Sequence, residues 1–217
     1  MQKSGFMFLL IIAAMAALAA YQATVEVPAS YAFVRLLGLQ AFLLLCVSLA
    51  IGPIATLDPS YAQLIEPRRA VGLAAFVLMI GHVLLAVSLE YGWQLQYLLD
   101  QLPMLVAIAA AMMMALLALT SCDYAVKTLG NRNWKRVQNM NYIVFALAFF
   151  HFVQQSNGLF AKGGQLAPTN LAEAAMVLAG LLVVALQIAG FLARRGRMNK
   201  AGTPPSPDSG AGRHKTI

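Results

Sequence analysis

Two histidines stand where a titratable side chain is hard to keep. The 217-residue chain has three histidines: His214 lies in the polar C-terminal stretch, while His82 and His151 fall inside long apolar runs. An ionisable group at membrane depth marks a functional site by default, because hydrocarbon offers it no solvation. The competing reading is structural, a neutral imidazole hydrogen-bonded to a neighbouring helix. Spacing favours a shared task. His82 follows Arg69 by 13 positions and His151 follows Arg136 by 15, which at 1.5 Å rise per residue is ~20 and ~22 Å along two helices leaving the same side. Two neutral imidazoles at one height can bind the iron of a single haem from its two faces. Zinc wants more ligands than two, and no Cys, Asp or Glu is expected close enough to complete such a set.

The neighbours of these histidines suit a flat macrocycle. Gly72, Ala74, Ala75 and Gly81 on the His82 segment are expected to leave space, and Phe145, Phe149, Phe150 and Phe152 to wall the His151 side. Both residue classes are also ordinary packing material in membrane helices. Met112, Met113 and Met114 are read as gap-fillers rather than axial ligands, and Cys46 and Cys122 as packing thiols rather than a redox pair.

The elements that position these residues follow from composition. The chain is 60% hydrophobic and 11% charged, with a mean hydropathy of +0.72. So little charge does not cover a water-facing surface. An all-α integral membrane bundle of about six spans is expected, near 5–22, 32–54, 70–90, 103–121, 138–156 and 171–193, since about 20 apolar helical residues cross a bilayer. Polar breaks at 58–69, 90–100, 127–136 and 163–168 separate them. The net charge of +7 is no sign of nucleic-acid binding, because the basic residues sit in short segments between apolar runs. Thirteen of the 15 Lys and Arg, all but Arg35 and Lys162, fall on one side of this arrangement. The positive-inside rule makes that side, with both termini, cytoplasmic. The first span, with Lys3 ahead of an apolar run, reads as a retained helix or as a cleaved signal peptide. A transmembrane domain over 1–196 and a disordered cytoplasmic tail over 197–217 are expected. Arg35, near an outer helix end, is expected to snorkel to the surface or to neutralise a haem propionate.

The run Arg68-Arg69-Ala70-Val71-Gly72-Leu73 leading to Gly81-His82 resembles the ferric reductase-like transmembrane domain family, as do Leu119-Thr120-Ser121, Leu129-Gly130, Trp134 and His151. The likeness covers about residues 35–155 and is closest to the branch of haem-binding membrane subunits of the MsrQ type. It implies b-type haem held between helices three and five, with His82 and His151 as the axial ligands, and electron transfer to an acceptor. One position departs. Members of that branch carry a further histidine 13 residues before the outer ligand, and here that residue is Gln138. Gln138 binds iron poorly, so one haem toward the outer leaflet is expected, with Gln138 bonded to backbone, to a quinone carbonyl or to solvent.

The expected function is therefore a haem b electron-transfer protein of the bacterial inner membrane. It would be an oxidoreductase subunit passing electrons to an outer-side acceptor such as a periplasmic oxidoreductase partner. No GxGxxG follows a strand, so no nicotinamide or flavin domain is expected. A quinol donor is preferred over a separate reductase because ~20 Å separates the histidines from the inner surface. Two rivals stay open. One is a small transporter with the histidines as a proton relay, weakened by the absence of buried acidic residues mid-helix and of visible inverted repeats. The other is a non-catalytic scaffold with structural histidines, and only the haem reading predicts a coloured protein.

Overall fold

A computed structural model describes residues 3–24, 28–155 and 171–201, and every regular element among them is helical. In chain order these are α1 (Lys3–Ala23), α2 (Ala29–Leu57), a 3-10 turn (Pro59–Leu64) and α3 (Arg68–Leu85) with its π-helical end (Ala86–Glu90). There follow α4 (Leu95–Leu99), α5 (Leu102–Leu119), α6 (Asp123–Asn139), α7 (Asn141–Gln155) and α8 (Leu171–Ala201). The all-α membrane bundle holds. Five stretches are long and apolar enough to cross a bilayer: Gly5–Ala23, Ala29–Leu57, Arg68–Glu90, Leu102–Leu119 and Leu171–Arg197. The sixth expected span is divided. Its first residues close α6, and the rest form α7, of which 15 residues are described.

The 127–136 segment is not a loop but part of α6, a helix with no buried residue. Gly130 interrupts it with φ 71°, ψ 150°, a backbone that only glycine adopts without strain. The helix α8 runs to Ala201, past the expected start of the tail, and the later residues lie outside those described.

The bundle is built around α2. Its spanning window is 56% buried, against 11–22% for the other four, so α2 is the core and the rest share one face with lipid. Leu39, Phe42, Leu45 and Leu49 of α2 pack with Val71 and Ala75 of α3, Val144 and Phe145 of α7, and Met176 and Val183 of α8. Large apolar side chains point outward, among them Leu9, Val77, Met112, Leu178 and Phe191, as a bilayer rather than water permits.

A proline inside α2 shows how the packing is fixed. Pro53 has no N–H, so the carbonyl four residues earlier, on Leu49, loses its helical donor. Gln187 of α8 supplies one instead, donating from Nε2 to Leu49 O at 2.8 Å. The helices are close enough because residue 190 is glycine. A Cβ there would sit 3.1 Å from Pro53 Cβ and 3.2 Å from its Cα. Small residues at a crossing and a polar bond across it are the usual means of joining helices in lipid.

The basic end of the bundle is tied by polar contacts. Arg69 pairs with Asp123 at 2.9 Å, and Arg197 donates to Thr56 O at the end of α2 at 2.8 Å. Trp134 Nε1 donates to Thr120 O at 2.9 Å. Gln138 Nε2 donates to Thr120 Oγ1 at 3.2 Å and to Leu117 O at 3.4 Å. The α6 side chains thus close the last turn of α5, whose carbonyls have no helical donors.

Candidate functional site

The helices α3 and α7 both leave the basic end, and their histidines arrive at one place. His82 and His151 line a single cavity of about 380 Å³, toward the end of the bundle opposite the basic residues. That volume is within the range of small-molecule and cofactor sites, roughly 300–1,000 Å³. Each imidazole is anchored by the same device. His82 Nδ1 lies 2.9 Å from Val34 O on α2, and His151 Nδ1 lies 3.0 Å from Pro103 O at the start of α5. A carbonyl only accepts, so each Nδ1 carries the proton and each Nε2 keeps its lone pair. That is the tautomer a metal-binding histidine needs, with the second nitrogen held by a backbone acceptor.

The His82 anchor depends on a glycine. A Cβ on Gly38, one helical turn after Val34, would stand 3.0 Å from both Cε1 and Nδ1 of His82. Any larger residue would push the ring off its carbonyl. The chain after His82 opens into the π-helical turn, and Ala86, Val87 and Glu90 from it line the cavity. Single π turns are frequent at functional sites.

The small lining residues are not the ones expected. Gly72 packs on Ser48, Gly81 on Leu37, and Ala75 is fully buried in the core, while Ala74 is exposed. They bring α3 against α2. Space beside the histidines comes instead from Gly38, Ala107, Ala111 and Ala148. Of the four phenylalanines, Phe152 lines the cavity. Phe145 and Phe149 stack with it on Phe42 of α2, with centroids 5.4–6.0 Å apart, and Phe150 is exposed. Phe42 itself is a cavity wall that composition did not single out, one apolar residue among many on α2. Met112 and Met114 also line the cavity, whereas Met113 packs on the core.

The mouth is polar. Tyr31, Arg35, Glu90, Tyr91, Gln155 and Glu173 line it. Arg35 does not snorkel to the surface; it turns inward and forms an ion pair with Glu173 in the first turn of α8. Glu173 is 3% exposed, and its Oε2 has no hydrogen-bond partner among the described residues. Acidic groups are therefore nearer the histidines than expected. The signal was present in the sequence: a carboxylate within an apolar span is costly wherever it falls. In a first helical turn it passes for a residue favoured by the helix dipole. Among the described residues no group of three or more His, Cys, Asp and Glu is placed to hold a metal ion.

Gln138 is distant from this cavity, held at the α5–α6 junction. Of its expected roles, the bond to backbone is the one observed. Lys162 and His214 lie outside the described residues.

The chain can now be set beside known proteins. It is 32% identical over 127 residues to magnetosome protein MamZ of Magnetospirillum gryphiswaldense, covering 57% of this chain and 19% of that one. It is 30% identical over 156 residues to the protein-methionine-sulfoxide reductase heme-binding subunit MsrQ of Agrobacterium fabrum, covering 70% of this chain and 69% of that one. With MsrQ of Brucella ovis it shares 30% identity over 125 residues, or 56% of each chain. The chain thus spans about a fifth of the length of MamZ and from over half to two thirds of the MsrQ proteins. The profile described as "Ferric reductase like transmembrane component" matches residues 37–149, taking in His82 and ending two residues before His151. A match over more than half of the chain, joined to the MsrQ likeness, places this protein in the ferric reductase-like transmembrane family.

Proposed function

We propose that this protein is a haem b electron-transfer subunit of the bacterial inner membrane, with His82 and His151 as the axial ligands of one haem. The observation that carries the reading is the shared cavity, into which two parallel helices deliver two imidazoles, each fixed through Nδ1 to a backbone carbonyl. The relatives named as heme-binding subunits support the same cofactor. The residues present fit it: apolar walls with small residues beside the rings, and a cation at the mouth. Bound there, a haem would supply a one-electron couple toward the outer leaflet. His82 and His151 would hold its iron, and Phe42 and Phe152 would keep water from it. Gln138 is engaged by α5 and offers no ligand for a second haem.

Both termini are cytoplasmic in this reading, so the cavity opens toward the outer side. Electrons enter from membrane quinol or a separate reductase and leave to an outer-side acceptor, an oxidoreductase partner being the fitting class. Reconstitution in liposomes with a short-chain quinol tests the donor. Quinol is expected to bleach the oxidised Soret band and raise the reduced one. A haem reduced by dithionite but never by quinol would assign the donor role to a separate reductase.

A further inference from the structure

The ion pair at the cavity mouth is incomplete. Arg35 engages Oε1 of Glu173, while Oε2 of the same carboxylate is buried and accepts no hydrogen bond among the described residues. A carboxylate oxygen left without donors in a low-dielectric site loses the hydration it had in water. Such an oxygen can take a proton where a fully bonded one would resist. The remaining titratable or charged groups on the cavity are Tyr31 on α2, His82 on α3, Glu90 on the π turn, Tyr91 beyond it and His151 on α7. The histidines hold their carbonyls, and Glu90 is exposed, so water screens its charge. Among the described residues, Glu173 is the group whose charge is buried and whose second oxygen accepts no hydrogen bond.

We propose that Glu173 takes up one proton for each electron that enters the cavity and releases it when the electron leaves. This rests on the haem reading above. In the oxidised state Glu173 is the carboxylate partner of Arg35. One electron passed by the donor to the iron of a haem held there would add negative charge, which would disfavour the Glu173 anion in the same low-dielectric space. One proton from water at the mouth then joins Oε2, giving the neutral acid, with Oε1 still facing Arg35. Oxidation by the acceptor reverses both transfers, so the net charge of the cavity is the same in either state. Electron delivery is thereby linked to proton uptake and release on the cavity side of the membrane.

The test is spectroscopic redox titration of the purified haem protein across pH, with redox-difference infrared spectra of the carboxylic acid C=O region. The wild-type midpoint potential is expected to fall as pH rises, approaching about 59 mV per tenfold change in proton concentration for a one-electron, one-proton couple. A carboxylic acid band should appear on reduction. Glu173→Gln should abolish both the slope and the band, Glu173→Asp should keep a slope with a shifted band, and Asp123→Asn, an acidic residue at the basic end outside the cavity, should behave as wild type. A pH-independent wild-type potential, or a wild-type slope in Glu173→Gln, overturns the proposal and leaves the haem reading standing. A colourless wild-type protein overturns the haem reading itself, and this inference with it.

Discussion

Each imidazole in the cavity has two nitrogens, and the backbone has claimed one of them in both cases. Both rings also line one cavity, and that combination is what the proposed ligand role rests on, since a bond to a neighbouring helix alone would equally join helices. The sequence made the two residues and their common height legible, since apolar runs and helical rise need no tertiary information. It did not reveal Gly38 or Glu173. Gly38 acts across α2 and α3, and its role is visible only when the His82 ring is seen against it. A Gly38→Ala variant is expected to displace the ring by a few tenths of an ångström from its carbonyl. Haem affinity should fall roughly ten- to a hundredfold, the usual effect of disturbing a group that orients a metal ligand, as read by haem titration of the apoprotein.

At the scale of helices, the apolar runs marked out the spans, but the polar segments misled. The residues from 127 to 136 are charged and read as a loop, yet they continue α6, where Trp134 and Gln138 cap the end of α5. Such caps are tertiary and leave no local pattern. The Pro53 site has the same character: the proline is obvious in sequence, while the donor that repairs it comes from Gln187, on another helix. Replacing Gln187 with Leu should leave Leu49 O without a donor and lower stability by roughly 0.6 kcal/mol, the measured average for bonds between membrane helices, with about 1.7 kcal/mol the largest measured. Thermal unfolding in detergent checks this, with Gly190→Leu expected to be worse because its side chain meets Pro53 backbone. At the exposed Asp123, the Arg69 guanidinium holds the carboxyl below its usual range. Its folded value is thus depressed, so the pair's small contribution is present above the ordinary carboxylate range and lost as pH falls through that depressed value. The melting difference between wild type and Asp123→Asn should therefore shrink in acid and in high salt.

For the whole molecule, the gathering of basic residues at one end was readable from the order of residues because it needs no contacts, and the proposed orientation rests on it. Basic residues gather at the end where α3 begins and α8 finishes, and the cavity of His82 and His151 lies at the other. The two cysteines report on this directly, since Cys122 is exposed at the basic end and Cys46 is buried. A membrane-impermeant maleimide should label Cys122 in inverted vesicles and leave it unlabelled in intact spheroplasts; the reverse pattern would place the cavity on the cytoplasmic side. What most needs measuring is the cofactor. The protein, purified in mild detergent, should give oxidised and dithionite-reduced spectra of a low-spin b-type haem, with a pyridine haemochrome content near one per chain. His82→Ala and His151→Ala should each remove it. A folded protein without a Soret band, or full haem content in either variant, would contradict the assignment of these two histidines as the ligands of one haem.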